Sequence, residues 1–209
     1  VHDIRRGVKE SKSPVFNQPD YKFLIHPSIS QIVAILHRLQ IEVERRPFKL
    51  SVDIETVAGH IEMIGLAWSK TEALAIPIMK EGDPDGHWTL DEETEIAWLL
   101  YKLLTHPNVQ VVGQNFLYDA QYFYRHHHYV PRLVRDTMLA QHSMFSAMQK
   151  SLDFLASLWC ESYLYWKDEL HGDPTIRQTY NCKDCCITYE IDDAQQPAID
   201  KMGLREVHD

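Results

Sequence analysis

The run Phe48-Lys-Leu-Ser-Val-Asp-Ile-Glu-Thr56 constrains this chain more than any other stretch. It is short, apolar and bounded by Pro47 and Gly59, the pattern of a buried strand. It nevertheless carries Asp53 and Glu55, two residues apart. Side chains alternate across a strand, so both carboxylates point to the same face.

Two further pieces supply acids with spacings that suit helices. Gly113-Gln-Asn-Phe-Leu-Tyr-Asp119 follows a second strand, Val109–Gly113, and starts a helix near Asn115. Asn115 and Asp119 are four apart, on one helical face, and Asn115 could cap that helix with its side-chain oxygen. Tyr180-Asn-Cys-Lys-Asp184 opens a C-terminal helix and repeats the four-residue spacing. Asp53, Glu55, Asp119 and Asp184 in one cleft would repel one another without cations. Hard divalent ions such as Mg²⁺ and Mn²⁺ are held by carboxylates, water and substrate phosphate. Two such ions about 3.5–4 Å apart stabilise both the attacking and the leaving oxygen of a phosphoryl displacement. The three pieces therefore read as a two-metal, phosphodiester-cleaving site.

In order, these pieces resemble the three motifs of the 3′–5′ exonuclease superfamily named after its four acidic ligands. Within it they look most like the proofreading domain of family A, polymerase I-like DNA polymerases. Gly-Gln-Asn-x-x-Tyr-Asp at 113–119 is an especially close match, and Asp136-Thr-Met-Leu139 and Asp153–Trp159 resemble intervening segments. The resemblance covers roughly residues 48–205. Tyr at 180, with Thr at 179, places the chain with the tyrosine type, which includes both polymerase proofreading domains and ribonuclease D-like RNA trimmers. The resemblance implies that Asp53, Glu55 and Asp184 hold one metal ion, that Asp53 bridges to a second, and that Asp119 supports the second. It implies that Tyr180 positions the attacking water, and that Thr56, Gln114, Asn115, Tyr118 and Met138 line the 3′-terminal nucleotides. Met138 and Tyr118 could also be ordinary core residues. The segment between Trp159 and Tyr180, with Tyr165–Leu170, is shorter than in the bacterial polymerase domains and resembles phage-type or other divergent polymerases.

Composition sets bounds on these readings. A chain of 209 residues with 44% hydrophobic content suffices for a single packed domain. No apolar run approaches the roughly 18–20 residues that span a bilayer, and the polar start has no signal-peptide pattern. The start at Val rather than Met points to a piece of a larger parent. Cys160, Cys182, Cys185 and Cys186 do not form a secreted disulfide framework, which points to an intracellular setting. Cys182-Lys-Asp-Cys185 lacks further zinc ligands and reads as helix packing, and His126–His128 reads as a solvated helix end. The net charge of −9 is not the basic footprint common among nucleic-acid binders. Lys150 and Lys167 are candidates to flank the cleft, and weak, salt-dependent affinity for DNA is the expectation.

The remaining pattern predicts an α/β, ribonuclease H-like domain, with a mixed sheet flanked by helices. Ile61–Trp68 and Ala73–Ile78 read as strands that form an antiparallel meander with the Asp53 strand, with Pro77 at a strand end or edge. Glu81–Gly86 reads as a loop, and Ile96, Leu99, Leu100 and Leu103 form a helical stripe ended by Pro107. Helices are predicted near 116–127, 137–146, 152–160 and 178–194, and another over Ser30–Leu39. The exonuclease domain is expected over 48–209, and residues 1–47 as a lead-in that packs on the core or links to it.

Three functions follow. The first is proofreading exonuclease action on single-stranded DNA 3′ ends in DNA replication, with the polymerase domain in the same parent chain or a separate subunit. The second is a ribonuclease D-like exoribonuclease, and the third an inactive nucleic-acid-binding scaffold. The complete set of four acids and Tyr180 weighs against the third.

Overall fold

The computed structural model describes residues 11–12, 19–80, 86–161 and 173–208. In chain order the elements are β1 (Lys22–Leu24), α1 (Ile29–Arg45), β2 (Phe48–Val57), β3 (His60–Ala67), β4 (Glu72–Pro77) and α2 (Leu90–Leu104). They continue as β5 (Val109–Gly113), α3 (Leu117–His127), β6 (Leu133–Asp136), α4 (Thr137–Met144), α5 (Leu152–Trp159), α6 (Pro174–Met202) and α7 (Arg205–His208). The strands form one sheet in the order β1-β4-β3-β2-β5-β6. β2, β3 and β4 form the expected antiparallel meander, while β5 and β6 continue it in parallel and β1 adds a parallel edge beside β4. This mixed sheet with helices on both faces is the ribonuclease H-like fold.

The two faces of the sheet differ because β2 alternates. Leu50, Val52 and Ile54 join α1 and α2 in the main core, where Ile32, Leu36 and Leu39 meet Ile96, Leu100 and Leu103. Ser51, Asp53 and Glu55 have the opposite parity and face α6. Small residues let that helix lie close to the sheet. Ala67, Ala73 and Ala75 of β3 and β4 pack against Cys182, Cys185 and Cys186. The cysteines are free and buried, and burial pushes the Cys182 thiol up to about 12, so the pair spaced as C-x-x-C is inert packing.

Helix ends follow capping chemistry. Ser28 and Gln31 form a reciprocal capping box at the start of α1, and Thr89 and Glu92 form another at α2. α6 starts earlier than its periodicity predicts because Asp173 accepts from the Thr175 and Ile176 amides and Pro174 occupies the first turn. It also continues past Pro197 to Met202, where Gly203 closes it in a left-handed cap. α1 likewise runs on to Arg45, since Leu39 and Val43 continue its buried stripe. The strands β1 and β6 have no sequence expectation behind them, being three and four residues long. α1 and β1 belong to the same core and sheet as the rest.

One local expectation is corrected. Asn115 does not cap α3 and does not share a helical face with Asp119, because it lies before the helix in the left-handed region at φ 56°. Phe116 is the N-cap, with no side-chain cap bond. Asp136 holds the turn that leads into α3, since its two carboxylate oxygens accept the Asn115 and Phe116 amides at 3.1 and 2.7 Å. The sharp turn also needs Gly113, where a Cβ would stand 2.3 Å from the Phe116 ring. Most of the Glu81–Gly86 loop, the Tyr165–Leu170 segment and Lys167 lie outside the described residues.

Candidate metal centre

β2 delivers Asp53 and Glu55 from the middle of the sheet toward α6, and α6 delivers Asp184. One carboxylate oxygen from each lies within 4.8 Å of the others. Asp184 is buried and the other two are half-buried. β2 and β3 slip register between Glu55 and Thr56, with Glu62 as the extra residue. Such a bulge re-aims side chains where a ladder meets a cleft. An all-oxygen set of three carboxylates, brought together from two elements, fits a hard divalent cation and is costly without one.

Asp119 approaches the same strand from α3. It is buried, and its Oδ1 accepts the Ile54 amide at 3.0 Å. Burial pushes its carboxyl up to about 7, with Asp136 and Glu55 acting in the same direction and the Ile54 amide opposing them. A cation beside it would favour the carboxylate form. Asp119 is thus bonded to Ile54, the strand residue between the two β2 acids, and lies outside the three-carboxylate group itself.

The side chains around the acids are held by specific contacts. Asn181 Nδ2 donates to Asp53 Oδ2 at 2.9 Å. Tyr180 is buried against Leu152, Leu155 and Ala156 of α5, which sets where its ring lies relative to Asp184 one turn later. Thr56 Oγ1 and Tyr118 Oη are 2.7 Å apart, and Tyr118 is 41% exposed, a surface ring rather than a core one. Gln114 Nε2 donates to the Lys150 carbonyl at 2.7 Å, and its oxygen accepts from Thr137, so its amide braces the neighbouring loop. Lys150 Nζ is turned onto the Ser146 and Met148 carbonyls. The Met138 amide donates to Asp136 Oδ1 at 2.8 Å, at the start of α4.

A family model described as 3′–5′ exonuclease, whose name refers to family A DNA polymerases, matches residues 29–199. The chain belongs to the 3′–5′ exonuclease family.

Solved exonuclease structures share the fold. The catalytic core of RRP6 from Trypanosoma brucei is similar with a TM-score of 0.64 at 16% identity, over 99% of this chain and 58% of that one. The Nibbler EXO domain of Aedes aegypti gives 0.63 at 15%, over 91% and 97% of the two chains. Escherichia coli RNase D gives 0.56 at 16%, over 90% of this chain and 46% of that one. The chain therefore spans about half the length of RNase D and somewhat more of the RRP6 core. No curated protein matches the sequence significantly.

Two residues that organise this exonuclease site carry no direct sequence signal for their roles. Asp136 lies in a segment noted only for its resemblance, yet it accepts amides from both Asn115–Phe116 and Met138–Leu139, tying α3 to α4. Asn181 sits between the two residues of its motif that attract notice. An acid at a helix start offers a capping signal for Asp136. Nothing in local sequence marks Asn181.

Proposed function

We propose that this chain is a two-metal 3′–5′ exonuclease that removes nucleoside 5′-monophosphates from single-stranded DNA ends, as the proofreading domain of a DNA polymerase. The observation that carries the reading is the convergence of Asp53, Glu55 and Asp184 oxygens within 4.8 Å of one another. Asp53, Glu55 and Asp184 would hold one Mg²⁺ or Mn²⁺, and Asp53 and Asp119 would hold a second. When bound, such a pair stabilises the attacking and leaving oxygens of phosphodiester hydrolysis. Tyr180 orients the attacking water through its hydroxyl. Thr56, Asn115, Tyr118 and Met138 receive the terminal sugar and base, and Gln114 secures the wall beside them. The Gly113–Asp119 motif and the family model's reference to DNA polymerases support DNA as substrate. The polymerase partner lies in a larger parent chain or a separate subunit, and the working compartment is intracellular. Among the described residues no helix is long and apolar enough to cross a membrane.

A second reading, an RNA-trimming enzyme, is prompted by the fold shared with RNase D, described as an exoribonuclease involved in structured RNA processing. Digestion of 5′-labelled single-stranded DNA and of an RNA of the same sequence, with Mg²⁺ or Mn²⁺, decides between them. A 3′-end ladder on DNA that disappears in Asp53→Ala supports proofreading, and Tyr180→Phe should lose less activity. Preference for the RNA moves the function to trimming. Cleavage of neither by the folded protein refutes both in favour of a binding role.

A further inference from the structure

From Thr56, beside the carboxylates, aromatic rings continue along one face of α3. Tyr118, bonded to Thr56, has its ring centroid 5.0 Å from that of Tyr122. The Tyr122 and His126 centroids are 6.0 Å apart with planes 21° from parallel, and His126 lies 5.2 Å from His60, the first residue of β3 after the β2–β3 turn. Positions 118, 122 and 126 recur at every fourth residue, so the three rings share one face, each a turn beyond the last. His126 Nε2 also reaches the Gly59 carbonyl at 3.3 Å, which holds the far end of the stripe against that turn.

The charge on this face differs from that of the molecule. The chain carries a net charge of −9, but the only acid within α3 is Asp119, buried on the side of the carboxylate site. The helix otherwise offers Arg125, whose guanidinium stands 5.9 Å from the Tyr122 ring. Beyond His60 and His126 the face runs into a hollow whose lining includes Glu93, so the row of rings ends beside an acid. A row of rings edged by a cation, leading away from a phosphodiester-cleaving site, suits a single strand: bases stack on rings and the backbone meets the positive edge.

We infer that Tyr122, His126 and His60, continuing from Tyr118 at the terminal nucleotide, form a stacking platform for the upstream bases of the single strand whose 3′ end lies at Asp53, Glu55 and Asp184. This inference rests on the exonuclease reading above. The ring faces, not the hydroxyl or imidazole nitrogens, provide the contact, so binding is tolerant of sequence and grows with strand length until the rings are covered.

The test joins binding to kinetics. Fluorescence anisotropy with labelled oligothymidylates of two to twelve nucleotides, in chelator, should show wild-type affinity rising with length. Tyr122→Leu combined with His126→Ala should weaken the longer strands by roughly tenfold or more, with a penalty that grows with length. Tyr122→Phe combined with His126→Phe should restore the affinity, which a folding defect would not allow. KM for cleavage should follow the same order. Equal affinities for wild type and the Leu/Ala protein at every length, or a wild type indifferent to length, would overturn the platform. A length-dependent difference in anisotropy without any cleavage would instead refute the exonuclease reading and leave the platform standing.

Discussion

Asn181 is fully buried and donates to one carboxylate oxygen of Asp53 from the helix that also carries Asp184. Its own Oδ1 has no hydrogen-bond partner among the described residues and lies against Gly65, the residue opposite Asp53 in the sheet. The amide is thus clamped between strand and helix, and the carboxylate orientation is set before any cation arrives. Asn181→Ala removes that donor without touching a proposed ligand. The expected result is a drop in Mn²⁺ affinity of about 10–100-fold, the usual cost of losing a group that orients a ligand. Titration calorimetry of the protein without nucleic acid measures it directly, and affinity equal to wild type would show that Asp53 is oriented by other means.

Gly65 makes that clamp possible. A Cβ there would stand 2.3 Å from Asn181 Oδ1 and 2.6 Å from Cys185 Sγ. Both neighbours are buried in the helix–sheet contact, so neither can swing aside. Gly65→Ala should cost about 1–3 kcal/mol. That corresponds to a melting temperature lowered by roughly 2–4 °C for each kcal/mol in a domain of this size. Thermal unfolding followed by circular dichroism gives the answer.

The far half of α6 is tied down by charge. Asp192 is buried and accepts from Arg135 Nε at 2.7 Å, Arg135 Nη2 at 3.2 Å and Lys49 Nζ at 3.1 Å. Lys49 also reaches Asp193 at 2.5 Å and lies over the Tyr189 ring at 3.6 Å. Replacing Asp192 by Ala leaves the half-buried Arg135 and Lys49 without their shared buried partner, with Lys49 keeping only Asp193. A loss of about 3–5 kcal/mol is expected from urea unfolding. Asp193→Ala, on the exposed side of the network, should cost far less.

His127 gives the fold a dependence on pH. Burial lowers its pKa below the ordinary 6.5, with His126 and His128 acting the same way. The folded state holds the ring neutral while the unfolded chain takes up a proton near 6.5, so unfolding binds protons and stability falls as pH drops below that value. His127→Phe keeps a ring beside Phe123 and Tyr129 and removes the titration. Its stability should be flatter than that of wild type over the interval below pH 6.5. Chemical denaturation at a series of pH values, with cation absent, makes the comparison.

How much could be read beforehand depended on the range of the interaction. Asp53, Glu55 and Asp184 were legible because strand and helix periods dictate which side chains share a face, and the stripe at Ile96–Leu103 was legible for the same reason. Edge strands of three or four residues have too few positions to show a period, so β1 and β6 were missed. The helix expected near 178–194 runs on past Pro197 to Met202, because the tertiary contacts of Ile199 keep it going. Asn115 carried a plausible capping side chain, but its left-handed backbone sets it before the helix, where Asp136 of β6 accepts its amide and that of Phe116. Asn181 became visible only when Gly65, more than a hundred residues away, was seen to let it approach.

The alternation along β2 also determines how the site can fail. Leu50, Val52 and Ile54 are locked into the main core, while Asp53 and Glu55 occupy the opposite face. A slip of one residue would turn every side chain over, placing two carboxylates in hydrocarbon and the branched aliphatic residues in the cleft. Misregistered molecules would therefore be selectively unstable, and the oily side of the strand acts as an error check on the acidic side: a chain that has folded at all has its carboxylates in place.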